Sequence, residues 1–218
     1  MYTKFKNDCE RPGYTRVTLC FAGFYNSLFS DRLDSQIEQD AEYYGIDAGE
    51  LCDAVSWGRA HTYIAKDYCG HFGEWLKAIG FEAIDFSFVA LHTPKDYFQG
   101  PDTIEAEAST EALRKLFDAV MYEYESELRA YWCNRFTPCS GWIPFYPADM
   151  DACGPCEQWP SCLWQVFFDF LDSIQDDYGR AEWWYDDIAL ANGAYGEALC
   201  ESPEYSELIE TAAEAKEA

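Results

Sequence analysis

The sequence predicts an α+β fold: a small antiparallel sheet with helices packed on it, and a helix-rich C-terminal part. Three observations carry this reading. Short alternating segments rich in β-branched and aromatic residues occur in the first half. Apolar residues at spacings of three and four dominate the second half. The composition, 49% apolar and 18% aromatic, is that of a chain that buries a core and excludes disorder along its whole length. A length of 218 residues suits a single compact domain over 1–218.

Tyr14–Phe21 alternates and reads as the first strand. After the Gly23–Ser27 turn, Ser30 or Asp31 caps a helix through Leu33, Ile37 and Ala41 to Tyr44, closed by Gly45. A second helical region is expected from Ala48 to Ile79, with Ile64, Tyr68, Phe72, Leu76 and Ile79 inward and Gly80 as its stop. Phe81–Leu91 reads as a strand and Thr103–Ala108 as another, with Ile104, Ala106 and Ala108 on one face. Ser109 or Thr110 then caps the most regular helix, whose stripe is Leu113, Leu116, Phe117, Val120, Met121, Tyr124, Leu128 and Tyr131.

Residues 133–162 form a Cys/Pro-rich loop with five cysteines and five prolines, and Trp142–Tyr146 reads as an edge strand within it. Acidic helices follow over 161–217. One runs from Ser161 to Gly179, a second from Ala181 to Asn192, and a third from Pro203 to about Ala215 with Ser202 as cap.

Signatures of chemistry are sparse. Cys153-Gly-Pro-Cys156 has the spacing of a redox tetrapeptide, but the preceding segment does not read as a strand, and Asp149 and Asp151 oppose thiolate formation. Cys153 and Cys156 with Cys162 and Cys139 (or Cys133) are a weak candidate zinc set, lacking a second close pair. His61, His71 and His92 read as structural. No phosphate loop, nucleophile elbow or zinc-protease helix is present, so the expectation is a non-enzyme with no cofactor.

Charge is the informative feature. Forty carboxylates against fifteen lysines and arginines give a net charge of −25, which argues against direct binding of nucleic acid or an anionic membrane. Between Arg135 and Lys216 sixteen acids face a single base, Arg180. Asp169, Asp172, Asp176, Asp177, Asp186, Asp187, Glu204, Glu207, Glu210 and Glu214 stand on the expected C-terminal helices or beside them. Acids three or four apart form a line with an axial rise of about 4.5–6 Å per step, comparable with the roughly 3.4 Å between phosphates of one DNA strand. Such lines on a rigid body would suit a basic groove built for nucleic acid. The plainer reading is a set of solvated helix faces. Ordinary solvated faces, however, interleave lysine with glutamate, and lysine is nearly missing here.

Three segments, Phe21-Ala-Gly-Phe-Tyr-Asn-Ser27, Thr93-Pro-Lys-Asp-Tyr-Phe-Gln-Gly-Pro-Asp-Thr-Ile104 and Arg135-Phe-Thr-Pro-Cys-Ser-Gly-Trp-Ile-Pro-Phe-Tyr146, resemble an uncharacterised family of small acidic proteins from phages and mobile elements. In the middle segment Phe98 and Gln99 replace the family's Asn-Phe, and Asp102-Thr103 replaces its Asp-Arg. The resemblance implies a phage or plasmid origin, where small acidic proteins often inhibit host defence. The combined expectation is an anti-CRISPR or antirestriction type of inhibitor. It would act as a DNA mimic that occludes a basic nucleic-acid-binding protein or defence complex of the host. The alternative is a non-enzymatic interaction or scaffold protein, zinc-stabilised in one version.

The first ten residues hold no apolar export segment, and the longest apolar run, Leu163–Leu171, is about half a membrane span. The expectation is a cytoplasmic protein whose cysteines are reduced. Thiol titration of denatured, anaerobically purified protein is then expected to find close to all ten cysteines free, whereas several stable bridges would contradict the assignment.

Overall fold

The computed structural model describes residues 9–20, 28–92, 103–135, 159, 161–174 and 179–217. The fold is α+β, with a three-stranded antiparallel sheet and helices. The backbone groups into two compact units. One comprises Met1–Cys20, Phe72–His92 and Thr103–Arg180, the other Phe21–His71, Thr93–Asp102 and Ala181–Ala218.

The first unit holds the sheet, in the order β1 (Tyr14–Cys20), β3 (Thr103–Ser109), β2 (Phe88–His92). Both pairings are antiparallel, with Val17 opposite Ala106 and Leu91 opposite Ala106. Period-two alternation puts Val17, Leu19, Ile104, Ala106 and Ala108 fully inside. Helix α6 (Ser161–Ser173) lies against β1 and brings Trp164, Phe167, Phe168, Phe170 and Leu171 into the core. Fully burying one such side chain stabilises by about 1.5–3 kcal/mol. Helix α5 (Thr110–Arg135) follows β3 directly, its first turn capped by the Ser109 hydroxyl, which accepts from Ala112 N at 3.4 Å. Its expected stripe is inward, with Leu113, Leu116, Val120 and Leu128 at 0% exposure, and the backbone breaks at Tyr124 (φ −129°, ψ 28°).

A buried carboxylate ties the three strands together. Glu107 on β3 accepts from Arg11 Nε at 2.9 Å and meets His92 Nε2 of β2 at 2.8 Å, while Arg16 of β1 stands at 3.7 Å. Burial raises the Glu107 pKa, but the bonds from His92 and Arg11 outweigh it and hold the carboxyl below its usual range. Arg180 is buried as well. Its guanidinium pairs with Asp172 at 3.1 Å and lies over Phe72 and Trp75, at 5.3 and 5.8 Å from the ring centroids.

Several expectations need correction. The strand expected over 81–91 is only Phe88–His92. Ile84 and Phe86 do alternate inward, but the register sets Phe88 opposite Ala108, and β3 ends at Ser109 where α5 begins, so residues 84–87 have no strand to pair with. They pack instead on α4 (Phe72–Leu76), where Phe72 meets Phe86 at 5.3 Å. The helix after Ser161 ends at Ser173 rather than Gly179. The edge strand expected over 142–146 and most of the three segments carrying the family resemblance lie outside the described residues.

The second unit is helical. It contains α1 (Leu28–Tyr44), α2 (Ala48–Ala54), α3 (Trp57–Gly70), α7 (Arg180–Trp183, from Ala181 on), a π segment (Trp184–Ala189), α8 (Leu190–Asn192), α9 (Ala194–Cys200) and α10 (Pro203–Glu217). Helix α1 begins at Leu28, ahead of Ser30 and Asp31, so neither residue is its cap. The long helical region expected over 48–79 is broken at Val55, whose ψ of 125° is extended, and again at His71. Ser202 stands at the N-cap position of α10, with its carbonyl accepting from Ser206 N at 3.0 Å, but its hydroxyl accepts from Ser56 N at 2.8 Å, at the start of α3, and not from the first turn of α10. Helix α9 was not expected at all. Its Ala194, Tyr195, Ala198 and Leu199 are buried, and it packs against α1, α3 and α10.

In the first unit Gly73 allows α4 to touch the chain ahead of β2, because a Cβ there would stand 2.3 Å from the Phe86 carbonyl oxygen. Gly73→Ala must therefore displace backbone. It is expected to lower stability by about 1–3 kcal/mol in a denaturant melt; an unchanged midpoint would contradict the close approach.

Candidate acidic surface

The acidic surface of the second unit is built from the core outward. Helix α10 turns Tyr205 fully inward, half-buries Leu208, Ile209, Ala212 and Ala213, and leaves Glu204, Glu207, Glu210 and Glu214 exposed. Like carboxylates three and four apart repel and cost a few tenths of a kcal/mol per pair. The helix's single cation, Lys216, does not relieve them. Its Nζ bonds the Tyr43 carbonyl and lies 4.4 Å from the Tyr43 ring centroid.

Helix α2 completes a groove beside α10. Asp47 caps α2 by accepting from Glu50 N at 3.1 Å, and the apolar side chain Leu51 is buried, which leaves Glu50 and Asp53 exposed. Glu50 and Asp53 line, together with Glu204, Glu207, Leu208 and Thr211, a groove of about 430 Å³. Among the described residues that line it are four carboxylates and no cation. The surrounding field registers in neighbouring groups. Burial first, then Asp34 and Asp53, raises the pKa of the Cys52 thiol, and burial followed by Asp31 and Glu38 raises that of Asp34.

Three carboxylates of this unit, the half-buried Asp40 and Asp67 and the exposed Glu197, accept from neutral donors. Asp40 accepts from Tyr205 OH at 2.7 Å and from Gln36 Nε2 at 3.0 Å. Asp67 accepts from Trp184 Nε1 at 2.8 Å, and Glu197 accepts from Tyr63 OH. A hydroxyl or indole N–H satisfies an oxygen without cancelling its charge.

Of the ten acids singled out from the sequence, Glu204 and Glu207 come together in the groove, and Glu210 and Glu214 extend the line along α10. Asp169 and Asp172 belong to the first unit, where Asp169 is half-buried and Asp172 is the partner of Arg180. Asp176 and Asp177 lie outside the described residues, as do the side chains of Asp186 and Asp187. Sequence reasoning missed Glu50 and Asp53. The signal was there: seven acids and no lysine or arginine stand between Arg32 and Arg59.

Cys139, Cys153 and Cys156 are outside the described residues, as is the Cys162 side chain, and no group of three or more metal-ligating side chains occurs among the described ones. His61 lies tilted against Trp57, ring centroids 6.0 Å apart, with its pKa lowered by burial, and His71 faces Asp67 at 3.7 Å. Among the described residues no helix is long and apolar enough to cross a membrane. No protein-family profile, curated protein or solved structure matches this chain.

The Tyr205–Asp40 bond gives a pH prediction. Burial, then the bond to Asp40, raises the Tyr205 pKa above its ordinary value of 10.0. A raised folded-state pKa means the contribution is complete below about pH 10 and is lost as the pH rises further, because the unfolded chain ionises first. The melting temperature is expected to fall as pH passes about 10. Tyr205→Phe is expected to flatten that fall and to cost about 1–3 kcal/mol at neutral pH, since Asp40 loses a donor. An unchanged alkaline profile in the variant would contradict the assignment.

Proposed function

We propose that this protein is an inhibitor that binds a basic, nucleic-acid-handling protein through its acidic surface. In the fuller form of the reading it is a phage-type inhibitor of a host defence complex, acting in the host cytosol as a DNA mimic of the anti-CRISPR or antirestriction kind. The observation that carries the proposal is the groove in which Glu50, Asp53, Glu204 and Glu207 stand together with no cation among the described lining residues. A stability-driven surface would interleave lysine with these acids. Here the one lysine on α10 is turned onto Tyr43 instead.

The mechanism is occlusion. Arginines and lysines that otherwise hold phosphates pair with the carboxylates, and the field of a −25 chain steers the encounter. Each exposed pair contributes only about 0–1 kcal/mol, so affinity comes from many pairs and from desolvation at the centre of the contact. The resemblance to phage and mobile-element proteins supports the defence setting. The reading requires no catalytic group.

A pull-down from host lysate identifies the partner, and surface plasmon resonance then tests the mechanism. Glu204→Lys with Glu207→Lys is expected to slow association at least about tenfold at low salt. The loss should shrink as salt shortens the screening length below roughly 10 Å. Equal association rates for the variant and the parent protein would sink the proposal. Capture of a partner without a basic surface would favour the scaffold alternative.

A further inference from the structure

Tyr122 is exposed to 90%, more than any other large hydrophobic side chain among the described residues. The core does not need it, because the inner stripe of α5 is filled by Leu113, Leu116, Val120 and Leu128. One turn before it stands Asp118 and immediately after it Glu123, both exposed. Three cations stand nearby on the same helix: Lys115 bonds Glu111 at 2.7 Å, Arg129 bonds Glu125 at 3.0 Å, and Arg114, exposed, lies one turn before Asp118.

Elsewhere in this protein tyrosine rings carry cations. Arg11 lies over Tyr14 at 5.3 Å, Arg32 over Tyr185 at 4.8 Å, and Lys216 over Tyr43, itself 67% exposed, at 4.4 Å. Among the described residues no cation lies over Tyr122. A second copy of this chain is a poor occupant, since two bodies of charge −25 repel. A ring face beside a carboxylate is complementary to a guanidinium, which stacks on the ring and donates to the acid.

We infer that Tyr122 and Asp118 form a docking point for an arginine of a basic protein partner. This rests on the reading that the partner is basic, and adds a second contact on the sheet-bearing unit. Arginine is preferred to lysine there, because the planar guanidinium makes both contacts at once.

The test uses the full-length protein with ¹³C-labelled tyrosine rings, titrated at low salt with hexa-arginine and, separately, hexa-lysine. The Tyr122 signal is assigned by its disappearance in Tyr122→Leu. With hexa-arginine it is expected to shift and saturate, and to shift less with hexa-lysine. Tyr122→Leu is expected to weaken hexa-arginine binding about 2–5-fold while leaving hexa-lysine binding unchanged. A Tyr122 signal that stays still while other resonances saturate would overturn the docking point alone. If neither peptide shifts any resonance, the acidic-surface reading and this inference fail together.

Discussion

A carboxylate satisfied by a neutral donor is the interaction on which the character of this protein depends. Asp40 takes one bond from Tyr205 and another from Gln36, and Asp67 takes one from Trp184. An ion pair would satisfy these oxygens equally well but would cancel their charge. The composition makes the choice possible, with sixteen tyrosines and eight tryptophans standing against fifteen lysines and arginines. Aromatic donors also bring large apolar surfaces, so the same residue fills the core and fixes the acid. Tyr205 does both on the inner side of the helix that presents Glu204 and Glu207.

The sheet-bearing unit uses its cations differently. Arg180 pairs with Asp172 and Arg11 with Glu107, ion pairs built from groups far apart in sequence or held by burial. Breaking a buried pair by removing one partner is costly, because the other charge is left in a low-dielectric interior. These two arginines therefore serve architecture. What faces solvent in the groove of the helical unit is left negative.

Much of this was legible from spacing. The strands at 14–20 and 103–109 and the stripe of α5 follow from period-two and helical patterns that depend only on neighbouring residues. Residues 84–87 carry the strand pattern but form no strand, because pairing depends on where β3 stops, which local sequence does not encode. Helix α9 escaped notice for a related reason. Seven residues interrupted by Gly196 offer no periodicity, and its place is set by contacts with α1, α3 and α10. Ser202 and Asp172 had the expected residue type and a different partner. Each serves an atom distant in the chain (Ser56 N) or eight residues further on (Arg180 N). The groove follows the same logic: the acids of α10 were evident as a line, but their companions on α2 come from a segment about 150 residues earlier.

The central claim is that this negative surface competes with nucleic acid for one basic site. The most direct measurement is the fluorescence anisotropy of labelled DNA bound to the captured partner while this protein is added. The account expects anisotropy to fall to that of free DNA, at a midpoint that rises in proportion to the partner-bound DNA's own affinity and concentration. A ternary complex, in which anisotropy holds or rises as the protein binds, would contradict it.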